Sequence, residues 1–414
     1  MRRISSNMPI MDNRFRMAER DFQKDRLQRG IASSRALGNL RDDPLAAAHI
    51  TRLDSAEGRT SRYLQNTEVV KGRWAQAEGY MSEAVSIVQR LRELSIQGAS
   101  GTYARDDMAY MATEVDALVA ELAQVANAKG GDGRYLFAGD DGATPPFRAE
   151  TSRVPGMGPD TVTGVHYSGD LGQSRIEISD GKSVEVNLAG NSVFWAEHQR
   201  VFGATDAGDL RVEEENRFFI DGKEVVLEAG DNAPTMVRKI NAAGAAVKAS
   251  LDPVTGSLNL ETTIPHQIWI QNSEGSVLSD IGILGNAGSR PPANWHPDAT
   301  VSGGSLFDQA IALRDALVEG DQEKVGGAVV GGLDKGLDSL LRNLADLGAR
   351  NERLEFTSNR LGDEKLALTG WKSQLADLDL TEAITELNML DYAQKAAYQI
   401  AGRVFQTSLM DFLR

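Results

Sequence analysis

Two aspartates stand directly before a proline at Asp42-Asp43-Pro44, in the stretch NLRDDPLAAAHI. Adjacent carboxylates can act as an acid–base pair or hold a divalent cation, and either chemistry would point to an enzyme. The competing reading is a helix start. Proline is favoured at the first helical position because its missing N–H is not needed there, which makes Asp43 the N-cap. Its carboxylate would accept from the free amides of the first turn and match the positive end of the helix dipole, a cap worth about 1 kcal/mol. Asp42 adds charge at the same terminus, and LAAAHI continues as a small-residue helix. The helix-start reading is the stronger one. The other reactive side chains assemble nothing further. His49, His166, His198, His266 and His296 share no helix turn, and none has a carboxylate at metal-ligand spacing. Glu213 to Glu215 in RVEEENR reads as a solvated loop or strand edge. No glycine-rich stretch runs into Lys-Ser or Lys-Thr, no G-x-S-x-G elbow exists, and GGDGRYLFAGDDG lacks the strand before and helix after that a phosphate loop needs. The absence of cysteine excludes disulfides, thiolate metal sites and thiol nucleophiles. No catalytic residue, cofactor or metal is therefore expected.

Composition bounds the remaining classes. The 414 residues suffice for more than one domain, and 41% apolar with 25% charged residues is ordinary for folded protein. A net charge of -15 argues against general nucleic-acid binding, which needs a basic face to displace counterions. No apolar run reaches the length of a membrane span, so no membrane insertion is expected. The opening MRRISSNMPIMDNRF has two arginines but no continuous apolar core after them, unlike a cleavable secretory signal.

The elements that must carry any function are long helices. Ile4, Met8, Met11, Phe15, Ala18 and Phe22 alternate four and three apart, a heptad seam. Residues 1–35 hold nine basic and four acidic side chains. At the far end, Ala383, Leu390, Ala397 and Val404 recur every seven residues, with Ala393, Ile400 and Thr407 as the accompanying row and Leu387 beside it. Residues 371–414 hold six acidic and four basic side chains, so the two termini are expected to pair. Neither stripe is wide enough for much stability alone. From about Thr60 to Gln97, Val70, Ala77, Ala84 and Leu91 form one row and Trp74, Met81, Val88 and Ser95 another. A helix of that extent is about 55 Å long, which favours a rod. Met108 to Ala128 and Leu333 to Leu378 read as further helices; the doublets Gly326-Gly327 and Gly331-Gly332 before the latter suggest a bend or a close backbone approach.

Between about Gly130 and His296 the helical period vanishes. SRIEISDGKSVEVNL, NRFFIDGKEVVLEAG, GSLNLET and HQIWIQN read as strands, with Asp180-Gly181 and Asp221-Gly222 as hairpin turns and NAPTMVRKINAAG as one short helix. The expected class is α+β: an elongated helical rod and coiled coil made from the N- and C-terminal segments, with a central β-rich inserted domain.

RDDPLAAA resembles the Asp-Asp-Pro-Ala motif near the start of bacterial flagellins and their junction relatives, and MRRISSNMP resembles their N-terminal signature. The helix end at LAQVANAKGGD followed by Gly133, Arg134, Tyr135, Leu136, Phe137, Ala138 and Gly139 is similar to the hook-associated protein 3 family, on the filament side of the flagellar hook–filament junction. FFIDGKEVVLEAGDNAPTMVRKINAAGAAVKASLDPVTGSLNLET resembles the flagellar IN motif, named for the pair seen here as Ile240-Asn241.

The resemblance implies a division into residues 1–40 (inner-core coiled coil), 41–145 (first half of the helical rod), 146–300 (outer β domain, with the IN-like segment at 218–270), 301–378 (second half of the rod) and 379–414 (closing coiled coil). It implies a structural junction protein that joins hook to filament. The interface residues would be Ile4, Met8, Met11, Phe15 and Phe22, with Leu387, Leu390, Ala397, Ile400 and Val404. Implied partners are neighbouring copies of the chain, hook-associated protein 1, flagellin and a cytosolic export chaperone on Leu380 to Arg414. Export would run through the flagellar type III apparatus to an extracellular or periplasmic flagellum. Terminal helices largely unstructured in the free subunit would order on addition, as weak stripes require. The alternatives are a filament flagellin, the type 1 junction protein, and an enzyme carried in the central insert.

Overall fold

The computed structural model describes residues 8–36, 43–285 and 290–410. In chain order the helices α1 (Met8–Ser33), α2 (Pro44–Ala99) and α3 (Arg105–Ala126) come first. A region of short elements follows: β1 (Phe147–Ser152), β2 (Thr161–Tyr167), β3 (Arg175–Ser179), β4 (Lys182–Glu185), α4 (Gly190–Val193), β5 (Arg200–Phe202), β6 (Asn216–Ile220) and β7 (Lys223–Leu227). It continues through α5 (Ala233–Ala242), β8 (Val247–Leu251), β9 (Leu258–Thr262), β10 (Ile270–Glu274), α6 (Val277–Asp280) and β11 (Thr300–Ser302). Helices close the chain: α7 (Leu306–Glu319), α8 (Gln322–Lys324), α9 (Val330–Ala376) and α10 (Leu380–Met410). The class is α+β, with long helices at both ends and a β-rich centre. Two compact units divide it, residues 1–65 with 357–414, and residues 66–356.

In the second unit the α2 rows Val70, Ala77, Ala84, Leu91 and Trp74, Met81, Val88, Ser95 are all buried, packed with Met111, Val115 and Leu122 of α3. α7 completes this core through Leu306, Phe307, Leu313 and Leu317. Its side chain Arg314 is also inside, only 1% exposed; it pairs with Asp116 of α3 at 2.9 Å and Asp315 at 2.7 Å, and donates to the Val162 carbonyl of β2. The glycine doublet before α9 becomes a π-helical turn, Val325–Val329. There Ser95 Oγ of α2 donates to the Val325 carbonyl at 3.0 Å, and a Cβ on Gly326 would stand 2.9 Å from that of Ala99. α2 passes too close at Gly326 for a side chain to fit.

All strand pairs are antiparallel among the described residues. β6 and β7 form a hairpin about Asp221-Gly222 within the order β10-β6-β7, and β11-β5-β9-β8 form a second sheet. A separate apolar core fills the space between them and α5, with Phe218, Leu227, Met236, Ile240 and Leu260. The Ile240-Asn241 pair has a mechanical reading. Ile240 is fully buried, while the Asn241 amide accepts from Ala249 N at 2.8 Å and donates to Ala249 O at 3.0 Å, replacing a strand partner for β8.

Candidate assembly interface

The first unit contains the two terminal helices, and they pair. Lys24 Nζ meets Asp391 Oδ1 at 2.5 Å, Gln394 bonds to Asp21, and Arg35 bridges Asp377, so numbers rise on α1 as they fall on α10: the pair is antiparallel. Main-chain bonds from Ala36 N to Ala376 O (2.8 Å) and Leu378 N to Ser34 O (3.2 Å) close one end. The half-buried positions on α1 are Met17, Arg20, Lys24, Leu27 and Ile31, three and four apart, with Gly30 beside the last. Those on α10 are Leu387, Leu390, Asp391, Gln394 and Ala397, continuing from the buried Ala383. These are two heptad seams, but basic and small residues interrupt them. The Asp391 hydrogen bond holds the Lys24 pKa above its ordinary value.

Leu387, Leu390 and Ala397 thus sit in the seam within the chain. Met11, Phe15 and Phe22 do not: they are 73, 71 and 63% exposed. Phe15 and Phe22 each precede a seam residue, Met17 or Lys24, by two positions, about 200° around a helix of 3.6 residues per turn. They form an apolar ridge on the side of α1 away from α10. The reason is charge: α1 turns Arg20 and Lys24 inward, toward the Ala393 carbonyl and Asp391. On α10, Ile400 is exposed, as are Met389 and Tyr392. Ile4 and the side chains of Met8 and Val404 lie outside the described residues.

Asp43 Oδ1 accepts from Leu45 N at 3.0 Å and Ala46 N at 2.9 Å at the start of α2. Asp42 lies outside the described residues. In the second unit, Gly133 to Gly139 is a loop folded back on the end of α3. Gly130 N donates to Arg134 O (2.8 Å), Leu136 N to Ala128 O (3.0 Å), and Tyr135 N to Gly142 O (3.0 Å). Leu136, Phe137 and Ala138 are buried, with Phe137 edge-on to Phe194 at 5.2 Å. Arg73 of α2 pairs with Asp132 at 3.0 Å and donates to the Tyr135 carbonyl; Lys129 stands over the Tyr135 ring. Gly139 has φ +72°, and any Cβ there would collide with the main chain of Asp170. The loop is a staple joining α2, α3 and the strands, and its residue types follow from that packing.

The profile of the bacterial flagellin N-terminal helical region matches residues 4–141, and that of the C-terminal helical region matches residues 330–413. Together they take in more than half of the chain. The chain belongs to the flagellin family. The two matches bracket the centre: the first ends just past the Gly133–Gly139 staple and the second covers α9 and α10. Among flagellin-family relatives, flagellar hook-associated protein 3 of Salmonella typhimurium is 24% identical over 280 residues, 68% of this chain and 83% of that protein. Flagellin A of Vibrio cholerae is 24% identical over 383 residues, 91% of this chain and 89% of that one. The crystal structure of hook-associated protein 3 from Legionella pneumophila is 18% identical, covers 79% of this chain and 98% of its own, and superposes with a TM-score of 0.48.

Among the described residues no three histidine or carboxylate side chains come together to hold a metal, and no helix is long and apolar enough to cross a membrane. His49 is exposed, His166 lies 3.5 Å from Glu150, His296 lies 3.8 Å from Asp298, and His198 Nδ1 is 2.7 Å from the Thr262 carbonyl. His266 differs. It is buried, with Nε2 2.9 Å from Asp221 Oδ2. Sequence reasoning did not pair them, because they stand 45 residues apart and are joined only by the register of the sheet. The one available signal was Asp221 at a hairpin turn.

Proposed function

We propose that the chain is a structural subunit of the bacterial flagellum, placed at the junction of hook and filament. The flagellin family is one of structural flagellar proteins, and the relatives include hook-associated protein 3. The observation that carries the reading is the free apolar ridge Met11–Phe15–Phe22, opposite the seam that α1 uses within the chain. A helix with one polar-rich seam satisfied internally and one large apolar ridge left in water is a subunit prepared for neighbours. Because basic and small residues interrupt the internal seam, the pair gains most of its stability only when the next copy covers the ridge. The partners are then further copies, hook-associated protein 1 below and flagellin above. Export runs through the flagellar type III apparatus, with a cytosolic chaperone covering the exposed face of α10 beforehand.

Electron microscopy of cells lacking the chain tests this: bare hooks, with flagellin shed into the medium, are expected, and full-length filaments would contradict it. The second reading, a filament flagellin, is favoured by the wider reach of the flagellin A match. Counting copies per flagellum separates the two, since a junction ring holds few and a filament thousands.

A further inference from the structure

The interior of the β-rich region holds a histidine–aspartate pair that the assembly role does not use. His266 lies in the linker between β9 and β10 and is 5% exposed. Its Nδ1 is 2.8 Å from the Ile264 carbonyl and its Nε2 is 2.9 Å from Asp221 Oδ2. Both neighbours are acceptors. A neutral imidazole has one N–H and one lone pair, so one of these oxygens would face a lone pair; only the imidazolium donates to both. Asp221 is itself held in an unusual backbone state, φ +49°, at the tip of the β6–β7 hairpin. Its Oδ1 accepts from Trp269 N at 3.0 Å, and its own N–H donates to the Trp269 carbonyl at 2.9 Å. One carboxylate therefore ties the hairpin tip to the middle of the linker at His266 and to its end at Trp269.

We propose that His266 and Asp221 form a proton-operated clasp. With the ring charged, the clasp fixes the β6–β7 tip to the 264–269 linker; with the ring neutral, one of the two bonds must break and the linker loosens. The clasp borders a cavity of about 320 Å³ that Asn343, Asp346 and Arg350 of α9 also line. Other charges face the same space without replacing Asp221. Asp346 and Arg350 neutralise each other at 2.8 Å, Glu185 comes from the end of β4, and His198, whose main chain bridges that of His266, is engaged with Thr262. Burial favours the neutral ring, yet the Asp221 hydrogen bond and charge, with the Ile264 carbonyl, outweigh it and raise the His266 pKa above its ordinary 6.5. The sign follows. The stabilisation is complete below the unfolded value and is lost as pH rises through the folded one.

The test is nitrogen NMR of the histidine-labelled full chain, with His266 assigned by His266→Gln. The doubly protonated His266 ring should persist to higher pH than in a free histidine, with a midpoint above 6.5. Amide exchange in residues 264–270, after correction for intrinsic rates, should speed by about tenfold across the same midpoint. Asp221→Asn keeps an acceptor for Trp269 but removes the charge; it should bring the midpoint down and abolish the exchange step. A His266 midpoint at or below 6.5, or an identical exchange step in Asp221→Asn or His266→Gln, overturns the clasp. The wild-type titration decides the matter even if a variant fails to fold.

Discussion

Arg314 is enclosed by α3, α7 and β2, and its charge is balanced at every nitrogen. Removing one side of a buried pair leaves the other uncompensated, which typically costs about 3–5 kcal/mol, and truncation to alanine adds a cavity that a side chain of similar length would fill. Asp116 and Asp315 are themselves partly exposed, at 23 and 40%, so both can recover water. Arg314→Ala is therefore expected to lose about 3 kcal/mol, the low end of that range, and Arg314→Met clearly less. Urea unfolding followed by tryptophan fluorescence measures both, and equal losses would mean that the lost charge, not the lost volume, decides. None of this was legible in the sequence. An arginine in LRDALVE reads as surface charge, and only the folded neighbours Asp116 and Val162, far away in the chain, make it a core residue.

At the level of elements, what the sequence revealed depended on how local the cause was. The cap at Asp43, the hairpin turns at Asp180-Gly181 and Asp221-Gly222, and the α2 rows rest on neighbours within a few residues, and such patterns can be read directly. The short strands β5 and β11 rest on partners far along the chain and carry no periodicity of their own, whereas α7 has helical spacing at Leu306, Ala310, Leu313 and Leu317 behind a Ser305 cap. The terminal helices lie between these cases. Their heptads are visible, but which face turns inward is set by Lys24 and Asp391 meeting across the pair. Two predictions belong here. Asp43→Ala should cost about 1 kcal/mol in the helical unit, since two amides of the first turn lose their acceptor. The π-helical turn before α9 gives a sharper contrast. Gly326→Val pushes against Ala99 and should cost about 1–3 kcal/mol as an overpacked contact. Gly327→Ala meets nothing within 4 Å and should be neutral or stabilising by up to about 1 kcal/mol, because alanine restricts the unfolded chain and suits a helix. Comparable losses in both would show that the turn needs glycine for its backbone and not for the approach of α2.

For the molecule as a whole, the decisive question is what covers the α1 ridge. The long helices at the two ends were legible from their heptad spacing, and the family from motifs such as RDDPLAAA and Gly133 to Gly139. The division of labour between the two faces of α1 was not, because a sequence seam does not say whether its partner lies in the same chain. The structure separates the two: Met17, Leu27 and Ile31 face α10, while Met11, Phe15 and Phe22 face solvent. Replacing Phe15 and Phe22 together by aspartate removes two large apolar side chains from any intermolecular contact, a loss of about 3–6 kcal/mol per subunit before the charge is counted. Within the chain the same change removes no seam contact, so the helical circular dichroism and the urea midpoint of the purified protein should match the wild type. Cells carrying only the double variant should export it yet build no filament, scored by motility and by flagellin in the medium. Leu27→Ala should behave in the opposite way, lowering the stability of the α1–α10 pair while leaving the ridge intact and assembly largely preserved. If Phe15→Asp/Phe22→Asp assembles normally, the ridge is not the contact, and the face of α10 that carries Ile400 becomes the surface to change next.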